Sequence, residues 1–194
     1  MDKISYALGM NIAQNLAHSG LEEVSIEDFT KGLTAIIKNE EPAMSVQEAN
    51  ELLQQFFSEL EKKKFEANIE EGKNFLAENS KKEGVVTLAS GLQYEVVTQG
   101  EGATPKATDT VRCHYHGTLI DGTIFDSSVQ RGEPAEFPVN GVIQGWVEAL
   151  QLMKEGDKWR LFVPSNLAYG ERGAGGAIGP HTTLIFEVEL ISIV

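Results

Sequence analysis

The spacing of apolar residues along this chain changes once, near residue 85. Before that point they recur every third or fourth position. Ile4, Leu8, Ile12 and Leu16, with Ala7, Ala13 and Ala17 beside them, make one face of a helix. Asp2 is placed to cap its start and Gly20 to stop it. A second helix is predicted from Ser25, where Asp28 supplies a capping-box partner, and its face is Phe29, Leu33, Ile36 and Ile37. Pro42 forbids its simple continuation. Ser45 and Glu48 form a second capping box before a much longer run. Its stripe is broad through Ala49, Leu52, Leu53, Phe56, Phe57 and Leu60, then thins to Phe65, Ile69, Phe75 and Leu76 amid many charges. Gly72 costs ~1 kcal/mol relative to alanine without breaking a helix. Unbroken, a helix of about 35 residues is roughly 50 Å long.

Two short helices cannot build a stable core alone, because chains of about 40 residues usually need staples or association. A rod of that length cannot bury its face on them either. The pattern therefore predicts an all-α dimerisation domain with a long connecting helix over residues 1–84. A fold in which all three helices lie back on the second half is the weaker reading, because the rod becomes strongly charged as it approaches that half.

From Val85 the period is two. Leu92–Val97, Val111–Gly117, Ala135–Val139, Lys158–Val163 and Thr183–Val194 read as strands, with turn signals at 100–105 and Asp121-Gly122. Pro138 makes the third of these an edge. Between them lies one stretch too apolar for a surface turn and too short for a membrane span, Val142-Ile143-Gln144-Gly145-Trp146-Val147-Glu148-Ala149-Leu150. It reads as a short central helix, with Trp146 either filling the core or flooring a pocket. The second half is thus predicted as a domain over 85–194, an α+β fold with a curved antiparallel sheet wrapped on that helix.

Composition narrows the function classes. The net charge is −13, and neither half is basic, so no footprint for nucleic-acid phosphates is present. No run approaches the ~20 apolar residues of a membrane span. Cys113 is the one cysteine, which excludes an internal disulfide and points to a reducing compartment. The N-terminus has no apolar leader pattern, so the expectation is the cytoplasm, or the periplasm or cell surface where a leader has been removed.

Reactive constellations are scarce. His114 and His116 share a strand face, but no further ligand stands at metal spacing, so they read as ordinary surface histidines. The glycine-rich loop 170–180 has Ile178 where a dinucleotide fingerprint needs glycine, and a strand follows it instead of a helix; it suits a loop overhanging a site. Ser127 and Ser128 lack a nucleophile-elbow context. Asp126 with Arg131 five residues on reads as an ion pair closing a loop. Tyr115, Phe125, Phe137, Trp146, Phe162, Tyr169 and Phe186 form an unusual supply of aromatics among turns, and by composition alone they are core.

Their order says more. Tyr115-His116-Gly117, Asp121-Gly122, Phe125-Asp126-Ser127-Ser128, Val142-Ile143-Gln144-Gly145-Trp146, Ala168-Tyr169-Gly170, Pro180-His181 and Leu184-Ile185-Phe186 together resemble the FKBP-type peptidyl-prolyl cis-trans isomerases over residues 90–194. Residues 1–89, followed by Ser90-Gly91-Leu92-Gln93-Tyr94, are similar to the dimeric bacterial branch of the macrophage-infectivity-potentiator type. The resemblance implies an apolar bowl for a prolyl ring, with Trp146 as floor and Tyr115, Phe125, Asp126, Tyr169 and Phe186 as the other catalytic positions. Val142, Ile143, Arg131, Phe137, Ala168 and Ile178 are implied to contact substrate. The Tyr169 hydroxyl and the Ile143 N–H match donors to the ligand's carbonyls, and Arg131 matches the partner of Asp126. Proline-containing polypeptides, unfolded proteins and macrolide inhibitors are the implied ligands, a homodimer through the N-terminal helices the implied assembly. Neither a cofactor nor a metal is implied. Ala135, Ala174, Ala177 and Gly179 depart from bulkier residues or proline common in the family, which bears on loop rigidity and substrate preference. A non-catalytic binding module of the same shape is the alternative to an enzyme.

Overall fold

Three helices account for most of the first 79 residues, and the cap residues set their starts. The computed structural model describes residues 1–194 apart from Gly20 and Glu22, and the side chain of His18. In α1 (Lys3–His18) Asp2 accepts the N–H of Ile4 at 3.1 Å. The helix ends on Ser19; the predicted stop at Gly20 lies outside the described residues. In α2 (Ile26–Lys38) the Ser25 hydroxyl accepts the Asp28 N–H and donates to the Asp28 carboxylate, satisfying a helix-end donor. Asn39, in the left-handed conformation at φ 54°, closes it. The third helix, α3 (Val46–Asn79), is continuous for 34 residues, Gly72 included, and the Ser45 hydroxyl accepts the Glu48 N–H at its start.

The chain divides into two compact units, Met1–Lys63 and Lys64–Val194. In the first, no hydrophobic side chain among the described residues is fully buried. Of the predicted faces, Ile4, Leu8, Phe29, Leu33, Ile36, Ile37, Leu52, Leu53, Phe56 and Phe57 remain exposed, while Ile12, Leu16, Ala49 and Leu60 are half-buried.

The second unit begins at Lys64, ahead of the start at residue 85 read from sequence, because the last turns of α3 seat on the sheet. The charges there are real but lie on the other faces. Gly72 and Asn79 are buried, and Phe75 and Leu76 are half-buried. The Asn79 carboxamide donates to Gln93 Oε1 at 2.9 Å, Gln93 Nε2 donates to the Leu76 carbonyl at 2.8 Å, and Phe75 meets Phe162 with ring centroids 5.9 Å apart. Asn79 Nδ2 and both polar atoms of the Gln93 carboxamide are thus paired, while Asn79 Oδ1 is buried without a hydrogen-bond partner among the described residues.

The strands are β1 (Val85–Thr87), β2 (Gln93–Thr98), β3 (Thr110–Thr118), β4 (Ile124–Ser127), β5 (Ala135–Pro138), β6 (Lys158–Val163) and β7 (Leu184–Ile193). They form one antiparallel sheet in the order β1-β2-β6-β7-β3-β4, with β5 pairing β3 alone, the edge position Pro138 demands. Alternation explains which face is buried. Leu184, Phe186, Val188 and Leu190 of β7 and Val111, Cys113 and Tyr115 of β3 point inward. Against them lies the short helix α5 (Gln144–Leu150), which buries Gly145, Trp146, Ala149 and Leu150. A four-residue helix, α4 (Ser128–Arg131), follows β4 directly and has no counterpart in the sequence reading.

Gly145 sets the distance between α5 and the sheet. A Cβ there would stand 2.6 Å from Val163 Cγ1 on β6, closer than real Cβ contacts allow. Gly145→Ala should therefore lower stability by about 1–3 kcal/mol despite alanine's better helix propensity, the range for overfilling a packed core. Urea unfolding of the full chain measures it, with a shift in midpoint and little change in slope as the expected result.

Candidate active site: an aromatic cavity over Trp146

Strand alternation and one glycine build the site. Tyr115 on β3 and Phe186 on β7 face inward beside Trp146 of α5. Trp146 is 4% exposed, and three rings meet it edge-on: Phe186 at 5.4 Å, Tyr115 at 5.5 Å and Phe137 at 5.8 Å between centroids. Phe125 of β4 meets Phe186 in the same way at 5.4 Å. Such T-shaped pairs bring the positive edge of one ring to the negative face of the next. They also hold the rings apart from coplanar stacking, so that a hollow is left above the indole. Gly117, next on β3's inward face, permits this closure; a Cβ there would stand 2.6 Å from Phe125 Cζ and 3.0 Å from Phe186 Cε1.

The hollow is a cavity of about 620 Å³. It is lined by Tyr115, Phe125, Asp126, Phe137, Gly141, Val142, Ile143, Trp146, Tyr169, Ala174, Gly175, Ala177, Ile178 and Phe186. That volume is within the range of small-molecule pockets. Ten of the twelve residues expected from sequence line it. Ala168 does not; it is half-buried against the core behind the wall. Arg131 does not line it either, and reaches the site only through Asp126 and Tyr115. Gly141 and Gly175 were missed as wall positions, because a residue that contributes backbone alone leaves no side-chain signal. Ala174 and Ala177, read only as departures, are part of the wall.

One wall is polar. Asp126 Oδ2 accepts the Tyr115 hydroxyl at 2.6 Å, and Asp126 Oδ1 accepts from Arg131 Nη1. Arg131 Nη2 donates to the Tyr115 hydroxyl oxygen at 2.7 Å, closing a three-membered network. The local fold explains the five-residue spacing. Ser127 caps α4 by accepting the Gln130 N–H, and the single turn that follows carries Arg131 back over β4. Burial raises the Asp126 carboxyl, but the hydrogen bonds from Tyr115 and Arg131 outweigh it and hold the group below its ordinary value. Burial, then the neighbouring Asp126 carboxylate, push the Tyr115 hydroxyl up. Both members of the ion pair keep over two-fifths of their side-chain surface in solvent, so its worth is orientation more than stability.

Two further donors, one backbone and one side-chain, belong to residues that line the hollow. Ile143 precedes α5, ahead of the helical ladder, and among the described residues no acceptor takes its N–H. Tyr169, also a lining residue, is 41% exposed. The other reactive groups are accounted for structurally. Cys113 is buried, and burial pushes its thiol up to about 12, so no thiolate nucleophile forms near neutral pH. His114 and His116 are half-buried, not surface groups; their Nδ1 atoms stand 3.1 and 2.9 Å from the Ser128 and Ser127 hydroxyls. Among the described residues no three His, Cys, Asp or Glu side chains form a cluster able to hold a metal.

Residues 101–191 match the family described as FKBP-type peptidyl-prolyl cis-trans isomerase, and residues 1–96 match the domain amino-terminal to it. The chain is 52% identical to the FKBP-type 22 kDa peptidyl-prolyl cis-trans isomerase of Escherichia coli, over 97% of this chain and 93% of that one. It is 42% identical to the outer membrane protein MIP of Legionella longbeachae, over 99% and 85% respectively. The crystal structure of FkpA from Escherichia coli is similar over 98% of this chain and 92% of that chain, with a TM-score of 0.82 at 35% identity.

The polar wall makes a titration prediction. Asp126 should titrate below 3.8 and Tyr115 above 10.0 when followed by NMR. The stability that Asp126 contributes is present above its unfolded value of about 4 and is lost as pH falls through the lowered folded value. Arg131→Ala should move the Asp126 titration upward, because burial is then opposed only by the hydrogen bonds from Tyr115 and the Ser127 backbone. An unchanged Asp126 titration in that variant would mean that the guanidinium does not hold the carboxylate in solution.

Proposed function

We propose that the aromatic cavity is where this chain, which belongs to the FKBP-type peptidyl-prolyl cis-trans isomerases, turns X–Pro bonds. The chain is an enzyme of that class. The observation that supports the site is the edge-to-face ring set around Trp146, which borders a cavity large enough for a prolyl ring and its flanking residues, with one polar wall.

An X–Pro amide resists rotation by ~18–20 kcal/mol because its C–N bond has double-bond character, and uncatalysed exchange takes tens to hundreds of seconds. The planar amide is more dipolar than the twisted one, so water stabilises it more. A prolyl ring seated over Trp146 takes the bond out of water, and the planar form loses more by this than the twisted one does. The Ile143 N–H and the Tyr169 hydroxyl hold the flanking carbonyls and restrict the bound peptide to geometries near the twist. Phe125, Phe137, Val142, Ile178 and Phe186 enclose the ring, while Asp126 and Arg131 keep Tyr115 in place. The rotation breaks no covalent bond and transfers no electron, so these groups suffice.

The ligands that fit are proline-containing polypeptides, and macrolides that present a similar ring and carbonyls. The exposed apolar faces of α1, α2 and the start of α3 support a homodimer, since side chains exposed in such numbers mark an interface. A groove of about 1140 Å³ between α2 and the start of α3, lined by Ile26, Ile36, Pro42, Met44, Val46 and Ala49 among others, supports the same reading. The dimer then offers two cavities to one unfolded client. The cytoplasm is the proposed compartment on the strength of the lone buried cysteine.

Phe186→Ala tests the cavity. It opens the wall to water and should lower kcat/KM on a short proline peptide at least about tenfold, a barrier change of ~1.4 kcal/mol. Its stability cost is ~3 kcal/mol or more, so folding must be verified by circular dichroism. Asp126→Ala should lower kcat/KM less, about threefold to tenfold, the scale of one or two hydrogen bonds. Wild-type turnover in both folded variants would move the site elsewhere. For assembly, light scattering should give twice the 21.2 kDa chain mass at micromolar concentration, and a monomer would remove the N-terminal faces as the interface.

A further inference from the structure

The loop that overhangs the cavity has little of its own to hold it. Ala174 and Ile178 pair across it at 2.9 and 3.0 Å, but Gly170, Gly173, Gly175 and Gly176 between and beside them all sit at positive φ. Four of its residues, Ala174, Gly175, Ala177 and Ile178, are cavity wall. Its fixed point is the stem that follows. His181 donates its N–H to the Gly170 carbonyl at 2.8 Å, joining the two stems, and does so at φ 57°, a conformation that non-glycine residues seldom adopt. Pro180 before it has φ restricted by its ring.

One face of α3 lies along this stem. Phe65, Asn68 and Gly72 share it at helical spacing. The Phe65 ring meets His181 edge-on at 6.0 Å. Asn68 Nδ2 donates to the Pro180 carbonyl at 2.8 Å and stands 3.5 Å from Thr182 Oγ1. Thr182 in turn donates to the Gly179 carbonyl at 2.8 Å. Gly72 brings the helix backbone against buried Thr183; a Cβ there would collide with the Thr183 hydroxyl. Gly179 makes room for the clip, since a Cβ on it would stand 3.3 Å from Asn68 Nδ2. The departure at Gly179 thus has a structural use.

We propose that Asn68 is a positioning residue for isomerisation: its carboxamide holds the Pro180 carbonyl and so fixes Ile178 and the wall it belongs to. Asn68 does not line the cavity and touches no substrate. It acts through the stem, where proline and the left-handed His181 leave few torsions to absorb a displacement. The long helix therefore shapes the pocket as well as carrying it. This rests on the cavity being the prolyl site.

The test uses the full-length chain with Asn68→Ala and the isosteric Asn68→Asp, which keeps the volume and lacks the donor at pH 7. Both should lower kcat/KM on a short proline peptide about fivefold, the scale of one net hydrogen bond, with KM taking the larger share. The Ile178 amide, protected by the Ala174 carbonyl, should exchange with deuterium at least about tenfold faster, while the amides of β3 and β7 keep their rates. Lys73→Ala, exposed on the same helix, should change neither readout. Wild-type kcat/KM and Ile178 exchange in Asn68→Asp would overturn the proposal. So would exchange rising equally in β3 and β7, since Asn68 would then be a general stabiliser. Failure of the cavity reading is separate: it appears as wild-type turnover in Phe186→Ala, whatever Asn68 does.

Discussion

Burial of the Trp146 indole among rings that meet it edge-on is the constraint on which the second unit depends. A flat stack would fill the space above the indole. Three edges at 5.4 to 5.8 Å fill the space around it and leave the top open. The same atoms therefore serve as core and as floor, so stability and activity cannot be separated at these positions. The backbone obeys the same geometry. Gly145 lets α5 approach β6, and Gly117 lets Phe125 and Phe186 close on each other. Neither glycine lines the cavity, yet each sets a wall by what it leaves out.

The polar wall follows a different logic. In a chain of net charge −13 an exposed carboxylate is ordinary, and an exposed ion pair contributes little to stability. What sets Asp126 apart is that one of the two side-chain donors arranged on it is the Tyr115 hydroxyl, which also belongs to the cavity. Burial and hydrogen bonding pull its carboxyl in opposite directions, and the bonds prevail. Near neutral pH the wall is therefore a fixed carboxylate and a neutral phenol, with no proton in play. That suits a reaction that needs a shaped, partly dry surface and no acid or base.

Much of this was legible in the sequence, for identifiable reasons. The Ser25–Asp28 box and the Ser45 cap announce their helices because a cap is a local hydrogen bond between nearby residues. The alternation of Leu184, Phe186, Val188 and Leu190 announces β7 because one buried face imposes period two. The aromatic order placed most of the wall, Trp146 included. What was not legible depends on contacts distant in sequence or on missing side chains. The helix α4 is one turn long, too short to show a period. Gly141 and Gly175 line the cavity with backbone. The seating of α3 rests on Asn68, Gly72 and Asn79, whose neutral polar or absent side chains read as interruptions of an apolar stripe and not as a contact face.

That misreading points to how α3 serves two units with one continuous ladder. Up to about Leu60 its apolar residues form a broad stripe, of which Leu52, Leu53, Phe56 and Phe57 stay exposed in the chain. Beyond Lys64 the contact face changes character. Phe65 and Phe75 pack there on single rings, and directed hydrogen bonds from Asn68 and Asn79 stand beside them. A greasy stripe tolerates sliding, because dispersion and area are indifferent to small shifts in register. Carboxamide bonds to named acceptors do not tolerate it, because their strength falls steeply with distance and angle. The half of the helix that meets the catalytic unit is thus held by the kind of contact that specifies position, next to the loop whose position the cavity requires.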